Sequence, residues 1–184
     1  MIGACVVYDL EYTAWEGSRA RDWSGPGEHR EIVQIGAVRL DDSLAEVESL
    51  GLLVRPVRNP RLSAYFTALT GITQERVDTE GITVAEALVR LDAFAAGLPL
   101  LANGTDAEVV AENCRLHGCS APFLPRCRNI HPLLVQASGR PGIMSAELAD
   151  HFGLAKGRGH DALDDARAVA GALRLLQSSS KAFL

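Results

Sequence analysis

Apolar residues along the chain fall into short unbroken runs and longer stretches with three- and four-residue spacing, a pattern that alternates strands with helices. Residues 2–8 are a continuous apolar run with β-branched members, as expected of a central strand covered on both faces. A polar, Gly- and Arg-rich stretch runs from Ala14 to Arg30, after which Glu31–Leu40 reads as a second strand ending in the turn Asp41-Asp42-Ser43. Residues 47–55 read as a third strand, stopped by Pro56 and Pro60. Leu62 to Leu69 reads as a helix closed by Gly71. Thr83, with Glu86 three residues later, caps a longer helix reaching about Ala96. Leu98–Ala102 is a short strand, and Ala107–His117 a helix ending at Gly118. Cys127–Ile130 reads as the last strand, and Ser145–Phe152 and Ala162–Gln177 as helices. This order implies an α/β fold with a central mixed five-stranded sheet and helices on both faces. One domain is expected over 1–178, with 179–184 as a tail lacking periodicity.

Composition narrows the class. The 184 residues are 47% apolar and 22% charged, ordinary for a globular chain. The formal net charge of −5 excludes a broad non-specific nucleic-acid coat, which rests on Lys and Arg neutralising phosphates. It leaves room for an acidic metal site, where bound cations supply the local positive charge. No run approaches the roughly 18 apolar residues of a membrane span, so no membrane partner is expected. The first residues lack a basic segment and a cleavage site, and read as a strand rather than a signal peptide. Cys5, Cys114, Cys119 and Cys127 form no dense framework, which places the chain in a reducing cytoplasm.

The carboxylates carry the chemistry. Asp9 and Glu11 lie at the end of the first strand, two apart, so both project from one face. Either they bind a hard cation such as Mg²⁺ or Mn²⁺, or the strand ends there and both are solvated. Asp106 follows Asn103-Gly104-Thr105 just before a helix and is either a ligand or a first-turn acid. In the last helix Asp165 shares the side of Ala162, Val169 and Leu173, and so faces inward and needs a partner. Asp164 lies on the polar side with Arg167 three residues on and needs none. His160 sits just ahead of this helix, after the flexible loop Lys156-Gly157-Arg158-Gly159, suited to a general base beside a metal site or to an exposed loop histidine.

Trp15 and Trp23 share a loop with Arg19, Arg21 and Arg30, and either stack on single-stranded bases or pin the loop to the body. Leu69 is either a base-packing residue or part of the core. Cys114, His117, Cys119, Cys127 and His131 lack a CxxC pair, and small buried thiols explain them better than structural zinc.

Together these residues resemble the DEDDh, or DnaQ-like, 3′–5′ exonuclease superfamily, whose fold is the three-layer RNase H-like one. The motifs are Asp9-Leu10-Glu11-Tyr12-Thr13 followed by the 31–38 strand EIVQIGAV; Leu101-Ala102-Asn103-Gly104-Thr105-Asp106; and His160 five residues before Asp165. Leu69-Thr70-Gly71-Ile72-Thr73 resembles the family's nucleotide-contacting turn. The stretch from Val54 to Asp78 is similar to the Eri-type and KapD-like branch and leans toward RNA, although Ala14 stands where that branch commonly has Cys. The resemblance implies two Mg²⁺ ions, with Mn²⁺ able to substitute, held by Asp9, Glu11, Asp106 and Asp165, and His160 as the base. It implies substrate contacts at Leu10, Tyr12, Thr13, Leu69 and Asn103, a single-stranded RNA or DNA 3′ end as partner, and a homodimer as one assembly open to the chain. The alternatives are a non-catalytic nucleic-acid-binding module and an endonuclease on the same fold.

Overall fold

The computed structural model describes residues 2–181, so the last three positions of the expected tail lie outside the described residues. A five-stranded sheet forms the middle layer: β1 (Cys5–Tyr12), β2 (Ile32–Leu40), β3 (Glu46–Leu53), β4 (Leu100–Ala102) and β5 (Cys127–Asn129). Its order is β3-β2-β1-β4-β5, with β1 antiparallel to β2 and parallel to β4. The mixed, two-sided sheet expected from the order of elements is therefore present.

The alternation of side chains along β1 builds both cores. Val6, Tyr8 and Leu10 pack with Leu88 and Leu91 of α3 (Val84–Ala95) and Val109 and Val110 of α4 (Asp106–His117). Cys5 and Val7 point the other way, toward Leu148 of α6 (Ser145–Phe152) and Val169 and Leu173 of α7 (Ala162–Lys181). Asp9 and Glu11 have the same parity as Cys5 and Val7, so both emerge on the α6–α7 side.

The first strand is longer than its apolar run. Pairing with β2 continues through Asp9↔Gly36, Leu10↔Ile35 and Glu11↔Gln34, which keeps both acids on the strand, near its end, as expected. The register then slips so that Tyr12 faces Ile32. The skipped Val33 turns into a third cluster with Ala14, Ile72, Val77 and Phe66 of α1 (Ala64–Thr70). That cluster seats α1 beside the end of β1. The helix is bounded by Ser63, whose hydroxyl accepts the Phe66 N–H at 3.0 Å, and by Gly71 at φ 67°.

Two helices had no periodic signal. α2 (Gln74–Glu80) buries only Val77, and α5 (His131–Ser138) buries only Leu134, so neither shows an apolar stripe. α7 also runs beyond Gln177 to Lys181, through residues that were expected to be tail. No disulfide joins the four cysteines, and among the described residues no helix is long and apolar enough to cross a membrane.

Candidate active site

Close contact between α7 and β2 sets the geometry. A Cβ on Gly36 would overlap the backbone of Ala162 and Leu163, so only a glycine lets the first turn of α7 lie against the sheet. Gln34, two residues away on the same face, holds that turn in place. Its Oε1 accepts the Ala162 N–H at 3.0 Å and its Nε2 donates to Asp161 Oδ2 at 3.0 Å. Asp161 Oδ1 in turn accepts the Leu163 N–H at 3.1 Å. Since Gly36 is the register partner of Asp9, this docking brings Asp165, one turn into α7, over Asp9 and Glu11.

Asp9, Glu11, Asp106 and Asp165 are 5–9% exposed and line one cleft of about 560 Å³. Burial, followed by the charges of Asp106, Asp165 and Glu11, raises the Asp9 carboxyl well above the usual range. Burial and neighbouring acids push Glu11 to about 8 and Asp165 to about 7, and burial pushes Asp106 to about 6. Some hydrogen bonds oppose these shifts: the Ser145 hydroxyl donates to Asp9, the Leu10 amide to Asp106, and the His160 N–H to Asp165 Oδ2 at 3.2 Å.

Glu31 shows what a satisfied buried acid looks like here. Its side chain accepts the Val57 and Arg58 N–H groups at 2.8 Å each and that of Asn59, with His117 Nε2 at 3.2 Å. The four cleft acids have no such set, and among the described residues none is ion-paired to Lys or Arg. Four desolvated carboxylates with only oxygen donors match the chemistry of a hard divalent cation, which would supply the missing positive charge. Ligand atoms of Glu11, His160 and Asp165 lie within 4.8 Å of one another, and Asp9 is close enough to Asp106, Asp165 and Glu11 to feel all three.

His160 is half-buried at φ 60°, a strained conformation for a residue with a Cβ, held by its N–H bond to Asp165. Burial, and then the charge of Arg19, lowers its ring below the ordinary histidine value, which favours the neutral form. Asp164 is turned outward, where it accepts the Arg158 N–H at 2.7 Å and lies 3.7 Å from Arg167.

Leu10, Tyr12, Trp15, Trp23, Leu69 and Asn103 all line this cleft. Thr13 does not. It is 2% exposed, and its hydroxyl donates to the His29 carbonyl and accepts the Glu31 N–H at 3.0 Å, which closes the neck of the 14–30 loop. Asn103 is largely committed within the protein: its amide donates to the Ile143 carbonyl at 3.1 Å and its Oδ1 lies 2.8 Å from His131 Nδ1. Trp23 pins the loop. Its indole N–H donates to the Thr13 carbonyl at 2.9 Å, its ring lies 5.3 Å from that of Tyr12, and the Arg30 guanidinium sits 5.7 Å above it. Trp23→Ala is therefore expected to lower stability by about 1–2 kcal/mol and expose the loop to proteases, as thermal unfolding and limited proteolysis would show. An unchanged melting temperature would remove this anchor role.

Sequence reasoning did not place Ser145, Met144 or Tyr65 at the site, weighed His131 only as a zinc ligand, and took Gln34 only as part of the EIVQIGAV motif strand. Each reaches the cleft or its frame from another element, through pairings that local sequence does not show.

A family model described as RNase_T, exonuclease, matches residues 6–173. The 3′-5′ exonuclease Snipper of Drosophila melanogaster is 34% identical over 85 residues, 46% of this chain and 28% of that protein. ERI1 exoribonuclease 2 of Danio rerio is 40% identical over 75 residues, 40% of this chain and 12% of that protein. The match thus spans well under two thirds of either relative. Among solved structures, the nuclease domain of 3′hExo, a DEDDh family member, bound to rAMP, superposes with a TM-score of 0.80 and 26% identity. That superposition covers 95% of this chain and 92% of that one.

Proposed function

The chain belongs to the RNase_T exonuclease family, and on that premise we propose that it removes nucleoside 5′-monophosphates from the 3′ end of single strands, RNA in preference to DNA. The observation that carries the reading is the convergence of Asp9, Glu11, Asp106 and Asp165, buried and without ion-pair partners among the described residues, in one open cleft beside His160. The RNA preference is supported by rAMP bound to the 3′hExo nuclease domain and by the likeness to an exoribonuclease.

These four acids would hold two divalent cations, Mg²⁺ with Mn²⁺ able to substitute. Such ions supply activation of the attacking water and neutralisation of charge on the phosphate. The chain's own groups do the rest. Asp165 holds the backbone at His160 by accepting its N–H, which keeps the residue at the cleft. Burial favours the neutral ring, the form that accepts a proton from water. Ser145 and the Leu10 amide orient Asp9 and Asp106. Leu69 and Tyr12 offer apolar and aromatic faces to the terminal base, and Trp15 and the 42%-exposed Tyr65 to the bases behind it.

The test is digestion of matched 5′-labelled single-stranded RNA and DNA by wild type and by His160→Gln. A ladder shortening from the 3′ end, faster on RNA, is expected, with the variant slowed about 100-fold or more at unchanged strand affinity. Undiminished cleavage by the variant would remove His160 as the base. Tight binding without cleavage by wild type would instead make the chain a non-catalytic nucleic-acid-binding module.

A further inference from the structure

Two arginines face the cleft, and their charges are disposed differently. Arg30 is spoken for: its Nε donates to Glu112 Oε2 at 2.9 Å and its guanidinium covers the Trp23 ring. Arg19 is exposed on the 14–30 loop and, among the described residues, has no carboxylate in ion-pair contact. Its NH1 instead rests on the sulfur of Met144, on the opposite wall at the start of α6. A thioether is a weak acceptor, so the guanidinium keeps most of its hydrogen-bonding capacity. Glu147, an acid on that wall that feels its charge, is already occupied by the Met144 N–H at 2.9 Å and by Arg140 at 2.9 Å.

Position gives this cation a use. Arg19 bridges the mouth of the cleft between two walls that are far apart in sequence, and it is near enough to His160 to act on its charge. A strand entering the cleft carries phosphates past this point, and a guanidinium fork matches two non-bridging phosphate oxygens far better than one sulfur. We propose that Arg19 is the phosphate-gripping residue of this site, exchanging its contact with Met144 for the backbone phosphate next to the reacting end of the bound strand. This rests on the exonuclease reading above and adds the residue that holds the strand in register. It also assigns a role to the long loop. Trp23 fixes its base, and Arg19 reaches from its outer turn across the cleft.

Wild type, Arg19→Ala, Arg19→Lys and the charge-matched control Arg115→Ala would be compared in two assays. Arg115 lies exposed near the end of α4, outside the cleft. The first assay is steady-state cleavage of single-stranded RNA. The second is equilibrium binding of the same strand between 50 and 200 mM salt with chelator, which needs no cleavage. The expected result for Arg19→Ala is a KM raised about tenfold and a log–log salt slope shallower by about 0.7, the value of one lost phosphate contact on a single strand. Arg19→Lys should restore the slope, since the charge returns, and only part of the KM, since the fork does not. Arg115→Ala should change neither. A slope unchanged in Arg19→Ala, or changed equally in Arg115→Ala, would overturn the assignment. Because the binding arm stands alone, absence of cleavage by wild type would count against the exonuclease reading, while the salt slope would still decide the role of Arg19.

Discussion

Replacing Asp9 with Asn is expected to cut strand cleavage by at least about a thousandfold and, in the same protein, to raise the melting temperature of the metal-free form at pH 7.5. The two effects share one cause. Asp9 sits among Asp106, Asp165 and Glu11 and is buried, so in the absence of a cation its charge destabilises the fold. An acid whose folded-state value is raised contributes stability at pH below its unfolded value, near 4, and loses it as pH rises through the folded value. With Asp106 at about 6, Asp165 at about 7 and Glu11 at about 8, metal-free protein should lose stability steadily between pH 4 and 8. Added Mg²⁺ or Mn²⁺ should restore it, more at pH 8 than at pH 5. Asn keeps an acceptor for the Ser145 hydroxyl and removes the charge, so a gain on the order of 1 kcal/mol, about 2–4 °C, is expected without metal. Thermal unfolding of both proteins at pH 5 and pH 8, with chelator and with metal, reads each arm. A variant less stable than wild type without metal, or fully stabilised by metal, would show that the four acids are not a cation site.

Gly36→Ala should have the largest effect on the fold. The added methyl would meet the carbonyl carbon of Ala162 and the nitrogen of Leu163, which are backbone atoms that cannot step aside as a side chain can. Separating α7 from β2 there breaks the Gln34 contacts to Ala162 and Asp161 and moves Asp165 from above Asp9. A loss of about 3 kcal/mol or more is expected, roughly 6–12 °C for a chain of this size, with the metal-dependent rise in melting temperature lost as well. Gly51 is the natural control. It pairs with Gly36 across the sheet, yet a Cβ there would meet only Leu163 Cδ2 at 3.9 Å, an ordinary contact. Gly51→Ala should leave both readings nearly unchanged. Equal behaviour of the two variants would mean that close docking of α7 is not what places Asp165.

What the sequence made legible depended on periodicity. The two-residue repeat of β1 put Asp9 and Glu11 on one face, and the helical repeat of α7 separated Asp165 from Asp164. In the structure Asp165 is 5% exposed, and Asp164 lies outside the cleft, reaching Arg158 and Arg167. Elements that bury a single residue, such as α2 and α5, left no pattern to read. Long-range pairings were also illegible. The Asn103 amide reaches Ile143, forty residues on, and Arg19 reaches Met144, 125 residues away. Trp23 was open between stacking and anchoring because an indole suits both, and the partner of its N–H is a backbone carbonyl that carries no residue-specific signal. Thr13 belongs to a motif but turns its hydroxyl into the loop neck, so motif membership alone did not place it in the cleft.

The most direct test offers the protein, with Mg²⁺ or Mn²⁺, a 5′-labelled linear single strand and a covalently closed circle of the same sequence. The account predicts a ladder descending from the 3′ end of the linear strand, with 5′-monophosphates as the released product. It also predicts an intact circle, and no reaction with chelator or with the Asp9→Asn variant. Opening of the circle, or cleavage that persists without metal, would contradict it.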